Sequence, residues 1–173
     1  MINENRFCYH FQPIVSTSDG EIYSYEALMR PQSTLCPSPY QIIKYAEMTR
    51  RLNEIERATF FNILGIIDIG KEKFRGRRVF INSIPGTRFS AEDAARVRML
   101  LERHSDTAVV EMTEYAEMSD SEIGRIRDMY RHMGVQTALD DYGTGYSKRN
   151  CKQLSDSVQT SFRVIILPVL RRR

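Results

Sequence analysis

No segment of this 173-residue sequence approaches the roughly 18 consecutive apolar residues that a membrane-spanning helix needs. The apolar run Val164 to Leu170 is far too short and is interrupted by Pro168. The opening MINENRFCYHF lacks the basic start, apolar core and small-residue cleavage site of a secretory leader, so a soluble, cytoplasmic chain is expected. Cysteine is scarce, and Cys8, Cys36 and Cys151 are widely spaced, odd in number and without CxxC spacing. That excludes a disulfide framework and a zinc site of the usual kind. His10, His104 and His132 cluster with no motif and read as ordinary structural or surface residues. Charge of one sign is lacking too, with 25 Lys and Arg against 22 Asp and Glu. The basic residues stay scattered as far as Arg171, Arg172 and Arg173, and nothing resembles a basic face interleaved with aromatics. A nucleic-acid polymer is therefore not the expected ligand, whereas a small anion remains open.

What is present suits one soluble domain with a real core. Phe7, Tyr9 and Phe11 alternate with Cys8, His10 and Gln12, which predicts a strand to Val15; Ser18, Asp19 and Gly20 then supply a turn, and Glu21 to Arg30 returns as a second strand. Pro31 to Pro39 reads as loop. Ser38 with Pro39 starts a helix, and a longer one follows, burying Leu52, Ile55, Phe60, Ile63 and Ile67 before Gly70. Lys71 to Arg78 is connection. Val79 to Ile84 is then a strand, Ser90 with Asp93 a capping box opening a helix, Ala108 to Met112 a strand, and Ser119 with Glu122 the start of a further helix that Gly134 ends. Val135 to Leu139 closes the series. A hairpin, helices and then β-α-β-α-β place the chain in the α/β class, with a parallel sheet in either an open doubly wound or a barrel arrangement.

The polar residues at the strand ends carry the chemistry. Glu26, Asn82, Glu111, Asp140 and Asp141 each fall at or near the end of a predicted strand within apolar sequence, so their oxygens should converge on one rim. Massed carboxylates repel one another, and hard divalent cations relieve that; the absence of a His or Cys cluster points to Mg²⁺ or Mn²⁺. Two such ions can hold a phosphodiester and activate a water between them, which suits phosphate ester hydrolysis. Taken singly, each residue has a plainer reading: Glu26 paired on a surface strand, Asn82 in a turn, Asp140 as a cap.

Five segments in order decide between these readings: FQPIV at 11 to 15, EALMR at 26 to 30, FINSIP at 80 to 85, VVEMTE at 109 to 114 and LDDYGTGYS at 139 to 147. Together they resemble the EAL family of cyclic-di-GMP phosphodiesterases. The resemblance implies an EAL-type modified TIM (β/α) barrel, here incomplete, opening with an antiparallel hairpin. It further implies that Glu26, Asn82, Glu111 and Asp140 bind a first metal, that Asp140 bridges to a second also held by Asp141, and that Glu26, Asp140 and Asp141 are catalytic. Gln12 and Arg30 would contact the dinucleotide, and Glu114 would steady the loop Tyr142 to Ser147. The implied activity is metal-dependent hydrolysis of cyclic di-GMP to linear pGpG.

The likeness stops at Ser147, so residues 1–147 are expected to be the N-terminal portion of the barrel and 148–173 a divergent tail. The strand-borne Lys, the Glu of the second metal site and the Gln that the family shows next have no counterpart here, since no Glu follows Glu122 and Lys148 and Lys152 lie too close to the Asp pair. A frameshift would produce such a change of character. A degenerate, non-catalytic module that binds cyclic di-GMP or a protein partner is the alternative expectation. Homodimerisation through exposed barrel edges and a diguanylate cyclase or sensory partner domain complete the expected interactions.

Overall fold

The structure, a computed structural model, describes residues 7–32, 37–113 and 120–140. Phe7–Val15 (β1) and Ile22–Pro31 (β2) pair antiparallel, so the hairpin read from the alternation is present. Its turn closes through Gly20 N–H on the Ser16 carbonyl at 3.0 Å and Glu21 N–H on Asp19 Oδ1 at 3.0 Å. Gly20 sits at φ 76°, a left-handed backbone that a Cβ would strain.

Helix α1 (Pro39–Met48) begins as its sequence requires: Ser38 Oγ accepts from Gln41 N–H at 3.2 Å, and Gln41 Oε1 accepts from Ser38 N–H at 2.8 Å. Helix α2 (Leu52–Gly70) buries Ile55, Phe60, Ile63, Leu64 and Ile67 along one stripe. The segment expected to be plain connection forms a 3-10 turn over Lys71–Phe74. Its cause is Phe74, which is buried and edge-on to Phe11 and Tyr25, with ring centroids 5.1 and 5.8 Å away.

Strand β3 (Arg78–Ser83), helix α3 (Ala91–Arg103), strand β4 (Ala108–Thr113), helix α4 (Asp120–His132) and strand β5 (Gln136–Asp140) follow, within a residue or two of the expected bounds. The capping box expected at Ser90 is half present. Ser90 Oγ accepts from Asp93 N–H at 3.1 Å, but the Asp93 carboxylate is drawn instead to Arg57 Nε of α2 at 2.9 Å. Ser119, expected to cap α4, lies outside the described residues. Among the described residues no helix is long and apolar enough to cross a membrane.

The sheet runs in the order β1-β2-β3-β4-β5, antiparallel between the first two strands and parallel thereafter. Because side chains alternate along a strand, the register sorts them into two faces. Phe11, Ala27, Ile81, Val110 and Thr137 stand in one row across all five strands. Tyr9, Ala27, Val79, Ile81 and Val110 of that face join Ile42 of α1, Phe60 of α2, Leu101 of α3 and Tyr130 of α4 in one buried cluster. The four α-helices among the described residues thus share one side of the sheet. A doubly wound sheet would divide them between both sides, so the arrangement is that of consecutive (β/α) units of a barrel wall. His104 ends α3 inside this layer, buried and 3.0 Å from Asp68 Oδ1, a structural position of the kind expected for the lone histidines.

Candidate functional site

The face turned away from the helices carries the polar residues. Gln12 of β1 stands directly opposite Glu26 of β2, and Asn82 of β3 directly opposite Glu111 of β4. Glu26 is level with Phe80 rather than Asn82, yet Asn82 Nδ2 donates to Glu26 Oε1 at 3.1 Å across the diagonal. The same two-residue step recurs between β4 and β5, where Glu111 is level with Ala138 and Asp140 lies two residues further on. Gln12, Glu26, Asn82, Glu111 and Asp140 therefore form one oblique line that climbs the sheet. Tilted, staggered strands demand such a line, because points at one height along a barrel axis fall at successively shifted positions in successive strands.

One expectation needs correcting. Glu26 lies in the middle of β2, not at its end. Strand β2 pairs with β3 only from Ser24 to Ala27, whereas its pairing with β1 continues to Pro31. The second half of β2 thus outruns the parallel sheet, and Glu26 stands near the end of the part that belongs to it.

Gln12, Glu26, Asn82 and Glu111 are all half-buried, accessible to a ligand yet shielded from bulk water. Arg30 shares the parity of Glu26 and lies four residues beyond it, on the order of 13 Å along an extended strand. Its guanidinium donates from Nη1 to the Met29 carbonyl at 2.8 Å. Glu114 and Asp141 lie outside the described residues, as does the loop 142–147, and Asp140 is described in its backbone alone.

The donor set is carboxylate and amide oxygen. Asn82 spends its NH₂ on Glu26, which leaves its carbonyl as the donor oxygen, and the neighbouring carboxylate lies within one hydrogen bond. Such a set fits a hard divalent cation and not a soft one. Among the described residues no three His, Cys, Asp or Glu gather at one point; the line contributes Glu26 and Glu111 with Asn82 between them, and the backbone of Asp140 follows beyond.

Behind this line, on the helix side, sits a group that the sequence reading missed. Glu56 of α2 is 2% exposed, and both its oxygens reach the turn that follows Asn82. Ser83 Oγ donates to Oε1 at 2.7 Å, and Ile84 N–H to Oε2 at 2.9 Å. Burial pushes the Glu56 carboxyl up to about 7, against the lowering effect of hydrogen bonds from Ser83, Ile84 and Thr87. Tyr130 of α4 is pushed up as well, by burial and by the charge of Glu56. The signal was available: 56 falls on the apolar stripe of α2 beside Ile55, Phe60 and Ile63.

The family model described as "EAL domain" matches residues 1–156. Among curated relatives, the cyclic di-GMP phosphodiesterase NbdA of Pseudomonas aeruginosa is 30% identical over 80% of this chain and 18% of its own length. The cyclic di-GMP phosphodiesterase PdeR of Escherichia coli K12 is 28% identical over 84% of this chain and 23% of its own. The chain thus spans less than a third of either relative. Among solved structures, a standalone EAL protein from Vibrio cholerae O395 in its c-di-GMP-bound form superposes with a TM-score of 0.60 at 29% identity, covering 82% of this chain and 59% of that one. The PaMucR phosphodiesterase in complex with c-di-GMP gives 0.62 at 26% identity, over 82% and 62%.

Proposed function

Since the chain belongs to the EAL domain family, we propose that it acts in bacterial cyclic-di-GMP signalling as a metal-dependent phosphodiesterase module that opens cyclic di-GMP to linear pGpG. The observation that carries this reading is the oblique line Gln12, Glu26, Asn82, Glu111 and Asp140 on the face turned away from α1 to α4, joined at its centre by the 3.1 Å bond between Asn82 and Glu26. Glu26, Asn82, Glu111 and Asp140 are the residues that would hold a first Mg²⁺ or Mn²⁺, with Asp140 and Asp141 serving a second. When bound, such ions would supply Lewis-acid activation of water and compensation of phosphodiester charge.

The protein's own residues do the rest. Gln12, level with Glu26, offers an amide to the dinucleotide beside the reacting centre. Arg30, once released from the Met29 carbonyl, presents a planar pair of donors suited to a phosphate. Glu114 steadies the loop after the aspartates. The half-burial of Gln12, Glu26, Asn82 and Glu111 raises the worth of each charge-assisted bond there by excluding part of the solvent. Residues 1–147 are the proposed barrel segment, working in the cytoplasm, with a second copy or a cyclase or sensory domain as partner.

Titration calorimetry with cyclic di-GMP in Ca²⁺, repeated in Mg²⁺ or Mn²⁺ with analysis for pGpG, tests the reading. Binding with product is the expected result, and Glu26→Gln should abolish product. Binding without product would make the chain a sensor of the nucleotide, and no binding in any metal would overturn the proposal.

A further inference from the structure

Resting on the phosphodiesterase reading above, we propose that Glu56 is the positioning residue of Asn82, holding the end of β3 so that the amide faces Glu26 and the metal side of the sheet. Glu56 is the one carboxylate among the described buried residues. An ionisable group in that setting is costly unless its hydrogen bonds are met, and those bonds all go to one place. Ser83 and Ile84, the two residues after Asn82, give it their hydroxyl and amide protons at 2.7 and 2.9 Å. Thr87 closes the turn by donating to the Ile84 carbonyl at 2.6 Å.

Alternation explains why a residue on the helix side governs one on the other. Asn82 and Ser83 point to opposite faces, so anchoring the Ser83 side chain and the Ile84 N–H fixes the peptide planes on the C-terminal side of Asn82. Without that anchor Asn82 keeps its place opposite Glu111 and its bond to Glu26, but the turn that sets the angle of its peptide loses its hold. Disturbing the groups that orient a metal ligand ordinarily costs about 10- to 100-fold in metal affinity or activity.

The test uses the full chain with Glu56→Leu, Glu56→Gln and Ser83→Ala, and Val97→Ala in α3, a buried position that makes none of the Glu56 hydrogen bonds, as a core-weakening control. The readouts are the Asn82 side-chain amide resonance, assigned by its loss in Asn82→Asp, and the Mn²⁺ dissociation constant. Glu56→Leu should move the Asn82 resonance and raise the Mn²⁺ constant about tenfold or more, Ser83→Ala should do so in part, and Glu56→Gln, which keeps an acceptor, should restore most of both. Val97→Ala should change neither. An unmoved Asn82 resonance with unchanged Mn²⁺ binding in Glu56→Leu, or an equal response in Val97→Ala, would overturn the inference. Should Glu56→Leu fail to fold, Ser83→Ala decides alone by the same criteria. A wild-type chain that binds no Mn²⁺ while Asn82 still responds to Glu56 would sink the metal reading and leave the positioning role standing.

Discussion

Glu56 makes the stability of this protein depend on pH in an unusual direction. Its carboxyl is raised from an ordinary 4.5 to about 7 in the folded chain, with burial the largest cause. Below pH 4.5 the group is protonated in both folded and unfolded chains, and its contribution is fully present. Between 4.5 and about 7 only the folded chain keeps the proton, so each pH unit removes about 1.4 kcal/mol, and the loss totals on the order of 3 kcal/mol above pH 7. Asp93 and Asp106 behave oppositely: Arg57 and Lys71 hold their carboxyls below the usual range, so their contributions vanish only as the pH falls through the acid region. Urea unfolding of wild type and Glu56→Gln at intervals from pH 5 to 8 isolates the buried group, since all other titrations cancel in the difference. The variant should gain roughly 2 to 3 kcal/mol on wild type across that range. A flat difference, or one of opposite sign, would refute the assignment of Glu56 as a desolvated carboxyl.

Three further outcomes are expected from equilibrium unfolding. Phe60→Ala, which empties a fully buried position edge-on to Phe89, should cost about 3 to 5 kcal/mol, and a loss near 1 would mean that the helix layer collapses around the cavity. Gly134→Ala, at φ 70° with the nearest side-chain atom 3.8 Å from the added carbon, should cost about 1 to 2 kcal/mol through backbone strain alone. Disrupting the exposed Lys71–Asp106 pair by Lys71→Met should change stability by about 1 kcal/mol or less, and by less still in high salt.

The strands and helices were legible because their signals are local. Phe7, Tyr9 and Phe11 declare the period of β1, and Ser38 with Gln41 declares the start of α1 in the four residues that form it. That Gln12, Glu26, Asn82 and Glu111 share one face of the sheet was legible as well, since each stands in a short apolar segment. Its geometry was not, because the two-residue offset between Glu26 and Asn82 arises from the stagger of neighbouring strands, a relation between segments more than fifty positions apart. Phe74 misled for a similar reason: its neighbours Lys71, Glu72 and Lys73 are those of a loop, and only the rings of Phe11 and Tyr25 turn the segment into a packed 3-10 turn. Glu56 was missed because a charged residue on a helix is ordinarily solvated, and its donors come from a different element.

The parity of β3 ties these observations together. A slip of one residue in that strand would send Val79 and Ile81 to the polar face and drive Asn82 into the helix layer, where its amide would meet apolar carbon. The apolar contacts alone resist this, since Val79 and Ile81 are fully buried against the helices. Glu56 resists it a second time, because Ser83 can reach the carboxylate only when it points outward, and Asn82 then has to point inward. A valine at 83 would satisfy the hydrophobic criterion as well as serine does while leaving a buried carboxylate short of a donor. The serine and the glutamate are thus intelligible only as a pair, and what the pair specifies is the face on which the amide of Asn82 meets Glu26.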